Sequence, residues 1–306
     1  MKTQLLVIVG PTAVGKTALS IELAKQIHGE ILSGDSMQVY REMDIGTAKA
    51  SMEERMEIPH HLIDMIDPDH PFSVQDFQQL ARKTITDIVS RNHFPILVGG
   101  TGLYIESVIH SYQMPHVEED LSLRQELNEY AEKHGNEALH RRLYEVDPAS
   151  AVKLHPNDRR RIIRAMEVYQ VTGKPLSELK GKKESPYTPL WIGLTMPRDQ
   201  LYERINRRVD AMIELGLIDE VKRLKERGYH RGLTSMQAIG YKEIMSYLQG
   251  EISLEQAIDM IKQGTRKYAK RQLSWFRRLQ EIHWFDVTKD GSFAEIQRLV
   301  AGKFQA

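Results

Sequence analysis

The chain of 306 residues contains no cysteine, so disulfides, thiol nucleophiles and Cys-ligated zinc are excluded. That absence suits a reducing compartment. The chain also has no net charge: 42 Lys and Arg stand against 42 Asp and Glu, and only local clusters can speak for a partner. No apolar run approaches the roughly 20 residues of a membrane span. The first run, Leu5-Leu6-Val7-Ile8-Val9, is too short for a signal peptide and leads straight into a glycine-bearing loop. Repeats and low-complexity tracts are missing. A 41% hydrophobic and 27% charged composition is ordinary for a soluble globular protein, of a length suited to one large domain or two smaller ones. The expectation is a cytoplasmic monomer without membrane contact.

What is present begins at that loop. Gly10, Pro11, Thr12, Ala13, Val14, Gly15, Lys16 and Thr17 spell G-x-x-x-x-G-K-[ST] between a buried strand and an amphipathic helix. Backbone N–H groups of such a loop curl around a phosphate, and the helix N-terminus adds its partial positive charge. Lys16 reaches the outer phosphate, and the Thr17 hydroxyl is placed for Mg²⁺. A di- or triphosphate is therefore expected.

Strands are predicted at Leu5–Val9, Glu30–Ser33, Pro95–Val98, Leu190–Leu194 and Ile282–Phe285. Helices are predicted from Lys16, from Ser73 with Asp76 as capping-box partner, from about Leu103, near 198–227, and near 253–279 with Ser253 and Gln256 as a second box. Residues 41–72 read as irregular. This alternation is that of an α/β fold: a P-loop parallel sheet flanked by helices. From about residue 114 the pattern turns charged and helical, and Pro175–Pro189 reads as a linker. The expected division is a core of 1–113 with 190–306, and a helical insertion over 114–189.

In a parallel sheet, ligands sit beyond the carboxyl ends of the strands. Three polar strand ends meet there: the loop at 10–17, Ser33–Gln38 and Gly99–Thr101. Asp35, one strand over, can take a proton from a nucleophile attacking the group attached to the phosphates. The strand that should end in an Mg²⁺-holding acid ends instead in Val98-Gly99-Gly100-Thr101. The glycines read as room for a substrate beside the backbone. This argues against a motor or a switch GTPase and for a transferase that works by positioning. Arg204 and Arg208, one turn apart on a helix, are both candidates to clamp the phosphates. His60, His61, Asp64, Asp67 and His70 lack regular metal spacing and read as a structured loop.

Two basic stripes remain. Arg160, Arg161 and Arg164 lie on adjacent positions of one helix. Between Met260 and Gln280 lie Lys262, Arg266, Lys267, Lys270, Arg271, Arg277 and Arg278, with no acid and with Trp275 and Phe276 among them. In a chain of zero net charge such stripes suggest a polyanion such as RNA. Three function classes fit these residues: a group transferase acting on RNA, a P-loop small-molecule kinase with Asp35 as base, and a non-catalytic RNA-binding scaffold.

The ordered series Gly-Pro-Thr-Ala-Val-Gly-Lys-Thr at 10–17, Ser-Gly-Asp-Ser-Met-Gln-Val-Tyr at 33–40, Met-Asp-Ile-Gly-Thr-Ala-Lys at 43–49, Pro-His-His-Leu-Ile-Asp at 59–64, Val-Gly-Gly-Thr-Gly-Leu-Tyr at 98–104, Pro-Asn-Asp at 156–158 and Gly-Tyr at 240–241 resembles the bacterial tRNA dimethylallyltransferase family. The resemblance runs to about Phe285. It implies Mg²⁺-dependent transfer of a dimethylallyl group from its diphosphate to the N6 amine of the adenine 3′ to the tRNA anticodon. It implies a general base at Asp35, with Thr101 and Arg208 assisting at the diphosphate and the reacting centre. It also implies contacts to the target base from Asp35, Ser36, Met37, Gln38 and Thr101, and to tRNA from Arg124, Arg160, Arg161, Arg164 and the stretch around Gln237. A eukaryotic branch adds a zinc finger. A cysteine-free chain that ends soon after the core follows the bacterial pattern.

Overall fold

The computed structural model describes residues 2–110, 112–113, 117, 119–179, 181–182 and 184–304. In chain order the elements are β1 (Thr3–Val9), α1 (Lys16–Ile27), β2 (Gly29–Ser33), α2 (Met52–Glu57), β3 (His60–His61), α3 (Val74–Ser90), β4 (Phe94–Gly99) and α4 (Gly102–Ile109). There follow β5 (Tyr112–Gln113), α5 (Leu121–His134), α6 (Asn136–Val146), α7 (Pro148–Ala151), α8 (Arg159–Thr172), α9 (Leu176–Leu179) and β6 (Gly181–Lys182). The chain closes with β7 (Tyr187–Thr195), α10 (Arg198–Glu214), α11 (Leu217–Glu226), a 3₁₀ turn at Ser235–Gln237, α12 (Tyr241–Leu248), α13 (Leu254–Phe276), β8 (Ile282–Asp286) and α14 (Ser292–Phe304). Two compact units result, Met1–Ile109 with Pro186–Ala306, and His110–Ser185.

The first unit holds the six-stranded sheet, ordered β3-β2-β4-β1-β7-β8. Every pair in it is parallel, as the alternating pattern requires. β1 lies inside the sheet, and Leu5 to Val9 are all fully buried. Its side chains alternate: Leu6 and Ile8 join the core under α1 and α14, while Leu5, Val7 and Val9 join the core under α3 and α4. A third core gathers Val39, Tyr40 and Met43 with the apolar faces of α11, α12 and α13. The 110–185 unit has its own core, built on Leu127, Leu139, Leu143, Ile162 and Val168.

Register brings the site together. Val9 pairs with Gly99, and Ser33 pairs with Val98. Three strands therefore end at one level in the order β2-β4-β1, so Asp35 stands two strands from the 10–17 loop, not the one expected, with the Gly99–Thr101 turn between them. Both sequence-read capping boxes are present, with Ser73 accepting from the N–H of Asp76 and Ser253 from that of Gln256.

Four sequence expectations change. Residues 41–72 are not wholly irregular: Ser51 and Glu54 box the start of α2, and His60–His61 pair with β2 at the sheet edge. The helix expected over 198–227 is two, broken where Gly216 takes φ 98°. The expected linker holds α9, β6 and the start of β7, although Lys180 and Lys183 lie outside the described residues. The insertion, expected to be helical, also carries the antiparallel β5–β6 pair, and the residue proposed as its start, Met114, lies outside the described residues. α14 had no counterpart in the sequence reading.

Candidate active site

The loop at 10–17 takes its shape from backbone conformations that side chains resist. Gly10 has φ 148°, Gly15 φ 103°, and even Ala13 is at φ 65°. A Cβ on Gly10 would lie 2.6 Å from the carbonyl oxygen of Leu194. No side chain caps the N-terminus of α1, and its first turn holds no acid, so its N–H groups face the loop's concavity. Lys16 Nζ donates to the carbonyls of Gly10 (3.0 Å) and Pro11 (2.7 Å). Burial first, then the Arg208 charge, pulls its pKa down to about 7, and Asp35 opposes the shift.

Asp35 sits in a tight turn after β2. Its carboxylate accepts the backbone N–H of Met37 at 2.8 Å, an Asx turn that fixes the side chain. Burial raises its pKa above the ordinary aspartate range, against the N–H of Met37, the charge of Lys16 and the N–H of Gln38. The Ser36 N–H donates to Thr101 Oγ1 at 3.2 Å, and the Thr101 N–H donates to the Gly34 carbonyl at 3.3 Å. Gln38 is held at both ends of its amide. Ser33 Oγ donates to Oε1 at 2.7 Å, and Nε2 donates to the carbonyls of Thr47 and Ala48.

The glycines after β4 serve packing rather than substrate access. A Cβ on Gly99 would lie 2.3 Å from the Gly34 carbonyl oxygen, one on Gly100 1.9 Å from Gln272 Nε2, and one on Gly102 2.2 Å from Trp275 Cδ1. All three neighbours are protein atoms. The turn bearing Asp35 and the helix α13 can close on this loop only because the side chains are missing.

Of the two candidate arginines, Arg208 is half-buried with Nη1 3.5 Å from Thr12 Oγ1, whereas Arg204 is exposed. Burial, and next the charge of Arg204, lowers the Arg208 pKa. Two residues absent from the sequence reading enter here. Gln272 accepts from the Thr12 N–H and donates to the Gly100 carbonyl, and the Tyr268 hydroxyl lies beside Thr101 and Gln272. The available signal was a glutamine on the apolar face of α13, between Ala269 and Phe276.

The Thr17 hydroxyl makes no hydrogen bond among the described residues, which leaves it free to ligate a cation. Among those residues no group of three or more His, Cys, Asp or Glu could hold a metal by itself. The donors present suit Mg²⁺ bound through one hydroxyl, with substrate oxygens and water completing its shell. In the His60–His70 segment His60 Nδ1 bonds the Ile58 carbonyl while its Nε2 is buried without a partner among the described residues, and His61 pairs with Glu30, Asp64 with Lys49 and Arg55, Asp67 with Arg41, and His70 with Asp69.

The basic residues divide by what they touch. Arg124 and Arg164 both bond the buried Glu167, at 2.8 Å and 2.5 Å. Burial alone would raise the Glu167 pKa, but these two arginines hold it low. On the same α8, Arg160 and Arg161 are exposed, Arg161 beside Asp158. On α13, Lys262 pairs with Asp210 and Arg266 bonds Asn206, while Lys267, Lys270 and Arg271 are exposed, as are Arg277 and Arg278 just past its end. Phe276 is fully buried, so it belongs to the core and is closed to any base. Gln237 is exposed, with its amide on the Arg231 carbonyl.

Comparison with known proteins bears on this site. A family model described as IPP transferase matches residues 38–279, and one described as isopentenyl transferase matches residues 3–64. A tRNA dimethylallyltransferase of Halalkalibacterium halodurans is 52% identical over 100% of this chain and 99% of its own. Another, from Carboxydothermus hydrogenoformans, is 55% identical over 95% of this chain and 94% of its own. Among solved structures, a tRNA isopentenylpyrophosphate transferase from Bacillus halodurans superposes with TM-score 0.75 at 51% identity, covering 99% of this chain and 97% of that one. A eukaryotic dimethylallyltransferase acting on tRNA gives TM-score 0.78 at 32% identity, over 98% of this chain and 78% of that one.

Proposed function

The chain belongs to the IPP transferase family, and from that premise we propose that it transfers a dimethylallyl group from dimethylallyl diphosphate to the N6 amine of the adenine 3′ to the tRNA anticodon. The observation that carries the reading is the placement of Asp35 within charge range of Lys16, on strand ends that flank β4, with no acid after β4 itself. A γ-phosphate site needs that acid for its metal. A site that only holds a departing diphosphate does not.

The allylic C–O bond breaks and a bond forms between N6 and the same carbon. The diphosphate stays on residues 10–17, where the backbone N–H groups and α1 meet its charge. Lys16, its pKa near 7 among protein groups alone, is returned to the charged form by the arriving diphosphate. Arg208, beside Thr12, adds a second cation. Thr17 would hold Mg²⁺ with the substrate, and the ion would supply further neutralisation of the leaving group. Asp35 takes the amine proton as the new bond forms. Its raised pKa makes it a better base than an exposed aspartate, and its bond to Met37 keeps it aimed. Thr101 and the Asp35–Gln38 turn frame the incoming base, which must leave the anticodon stack at a cost of a few kcal/mol. Exposed cations on α13 and on α8 grip the RNA backbone and offset that cost. Arg124 and Arg164 act one step back, through Glu167 on the buried side of α8, the helix that carries Arg160 and Arg161. A tRNA substrate supports a cytoplasmic location. No helix among the described residues is long and apolar enough to cross a membrane.

Diphosphate release tests the reading. Dimethylallyl diphosphate should be consumed only when tRNA is present, and ATP should not be consumed at all. Turnover of ATP with a small hydroxylated acceptor would establish the kinase reading instead. A second expectation concerns salt. If the five exposed cations from Lys267 to Arg278 contact phosphates, log affinity for tRNA should fall against log salt with a slope of about −4. A flat titration would mean that these side chains face water in the complex.

A further inference from the structure

α13 carries an amide where a helix core position ordinarily carries an apolar group. Gln272 is 4% exposed, and a buried amide without partners is costly. Here each end is committed. Oε1 accepts the Thr12 N–H at 2.9 Å, and Nε2 donates to the Gly100 carbonyl at 3.1 Å. One turn earlier, the Tyr268 hydroxyl lies close enough to Thr101 and Gln272 for both to offset the rise that burial imposes on its pKa. One turn later, the Trp275 ring occupies the place of a Cβ on Gly102. Positions 268, 272 and 275 share a helix face, so α13 lies along the whole Gly100–Gly102 loop.

The two partners of Gln272 belong to different loops. Thr12 is in the loop after β1, and Gly100 is in the loop after β4. The β1–β4 ladder ends at the Val9–Gly99 pair, and beyond it no backbone hydrogen bond joins the two loops among the described residues. Each loop keeps its own shape by separate bonds. Lys16 ties the first to Gly10 and Pro11, while Gly34 and Ser36 tie Thr101 in the second. Gln272 is what spans them.

We propose that Gln272 is a positioning residue, a strut that fixes the separation between the diphosphate-holding loop and the loop that presents Thr101, with Tyr268 orienting the Thr101 hydroxyl. This rests on the transfer reaction proposed above. In that reaction the breaking bond lies on the first loop's side and the forming bond on the second's. A misplacement of about 1 Å between such groups costs on the order of 100-fold in rate. The strut thus acts on the transition state, and neither ligand site loses a contact when it is removed.

The test is a set of three variants, Gln272→Met, Gln272→Glu and Tyr268→Phe, measured for kcat, both KM values, affinity for inorganic diphosphate, and Tm. Gln272→Met should lower kcat by about 30- to 100-fold with both affinities within threefold of wild type. Gln272→Glu retains the acceptor for Thr12 but sets an oxygen against the Gly100 carbonyl, and should be no better. Tyr268→Phe should cost about three- to tenfold in kcat, the worth of one hydrogen bond. A folded Gln272→Met enzyme with kcat within threefold of wild type overturns the proposal. So does a uniform loss of kcat and both affinities with a lowered Tm, which is what a merely structural glutamine would give. If Gln272→Met does not fold, Tyr268→Phe decides by the same split. If wild type transfers no dimethylallyl group, it is the reaction that fails. The strut is then read alone by hydrogen exchange at the Thr12 amide, which must accelerate when Gln272 is replaced, and an unchanged rate overturns it.

Discussion

Asp35→Asn should lower kcat by a factor of about 10² to 10⁴, the usual worth of a positioned general base. Affinity for inorganic diphosphate should be unchanged, because no bond of the 10–17 loop involves Asp35. Tm should not fall. Burial holds the Asp35 pKa above its unfolded value. The stability this group contributes is therefore full below an unfolded pKa of about 3.9 and is lost as pH rises through the folded value. At neutral pH the ionised carboxylate costs stability, and asparagine removes that cost while still accepting the Met37 N–H. The wild-type pH profile follows from the same shift. Activity rises with pH as Asp35 deprotonates, with its acid limb displaced above the ordinary aspartate range. Steady-state kinetics and a melting curve check both halves. A variant that is inactive and also unstable would mean that Asp35 holds the turn and does no chemistry.

The second large effect is on stability. Glu220 on α11 is 2% exposed, and its carboxylate accepts three consecutive backbone N–H groups, from Asp44 (3.1 Å), Ile45 (2.8 Å) and Gly46 (3.2 Å). It also accepts the Tyr241 hydroxyl at 2.6 Å. A Cβ on Gly46 would lie 2.4 Å from the Tyr241 ring, so glycine there lets the loop close on the pair. The carbonyls of Thr47 and Ala48, next in the chain, hold the Gln38 amide. Glu220→Ala strands four donors in the interior. At about 1–3 kcal/mol for each group left unpaired, partly relieved by entering water, the loss should be on the order of 4 kcal/mol. Urea denaturation measures it. Glu220→Gln, with one acceptor oxygen where two are used, should lose less. A loss below about 1 kcal/mol for Glu220→Ala would show that the loop at 43–49 is held elsewhere, with Lys49 as the first candidate through its bonds to Tyr40, Asp44 and Asp64.

The sheet was legible because its strands are short apolar runs bounded by glycine and polar turns, and its helices announce themselves by capping boxes and period. Strand ends that share a level could be inferred from the parallel fold, which is why the loop at 10–17, Asp35 and Thr101 were grouped correctly in space. Three things were not legible. β3 consists of His60 and His61, two polar residues paired at an edge, and carries no hydrophobic signal. The function of the glycines at 99, 100 and 102 depends on which backbone or ring lies opposite, and that is fixed by residues 65 to 173 positions away. The charge runs looked uniform in sequence. Only a partner distant in the chain separates Arg124, committed to Glu167 43 residues on, from exposed Arg160 and Arg161. Gln272 and Glu220 were missed for the same reason, since a lone polar residue on an apolar helix face reads as noise until its partners are seen.

The central claim is that the end of β1 retains the departing diphosphate while the end of β2, across β4, deprotonates the adenine amine. Nucleoside mass spectrometry addresses it most directly. Unmodified tRNA is incubated with dimethylallyl diphosphate, Mg²⁺ and either wild type or Asp35→Asn, then digested and sequenced by mass. The expected result is one dimethylallyl adenosine per tRNA, immediately 3′ to the anticodon, formed by wild type and at most at the per cent level by the variant in the same time. Unmodified adenine after wild-type treatment, or equal yields from the two proteins at early times, would contradict it.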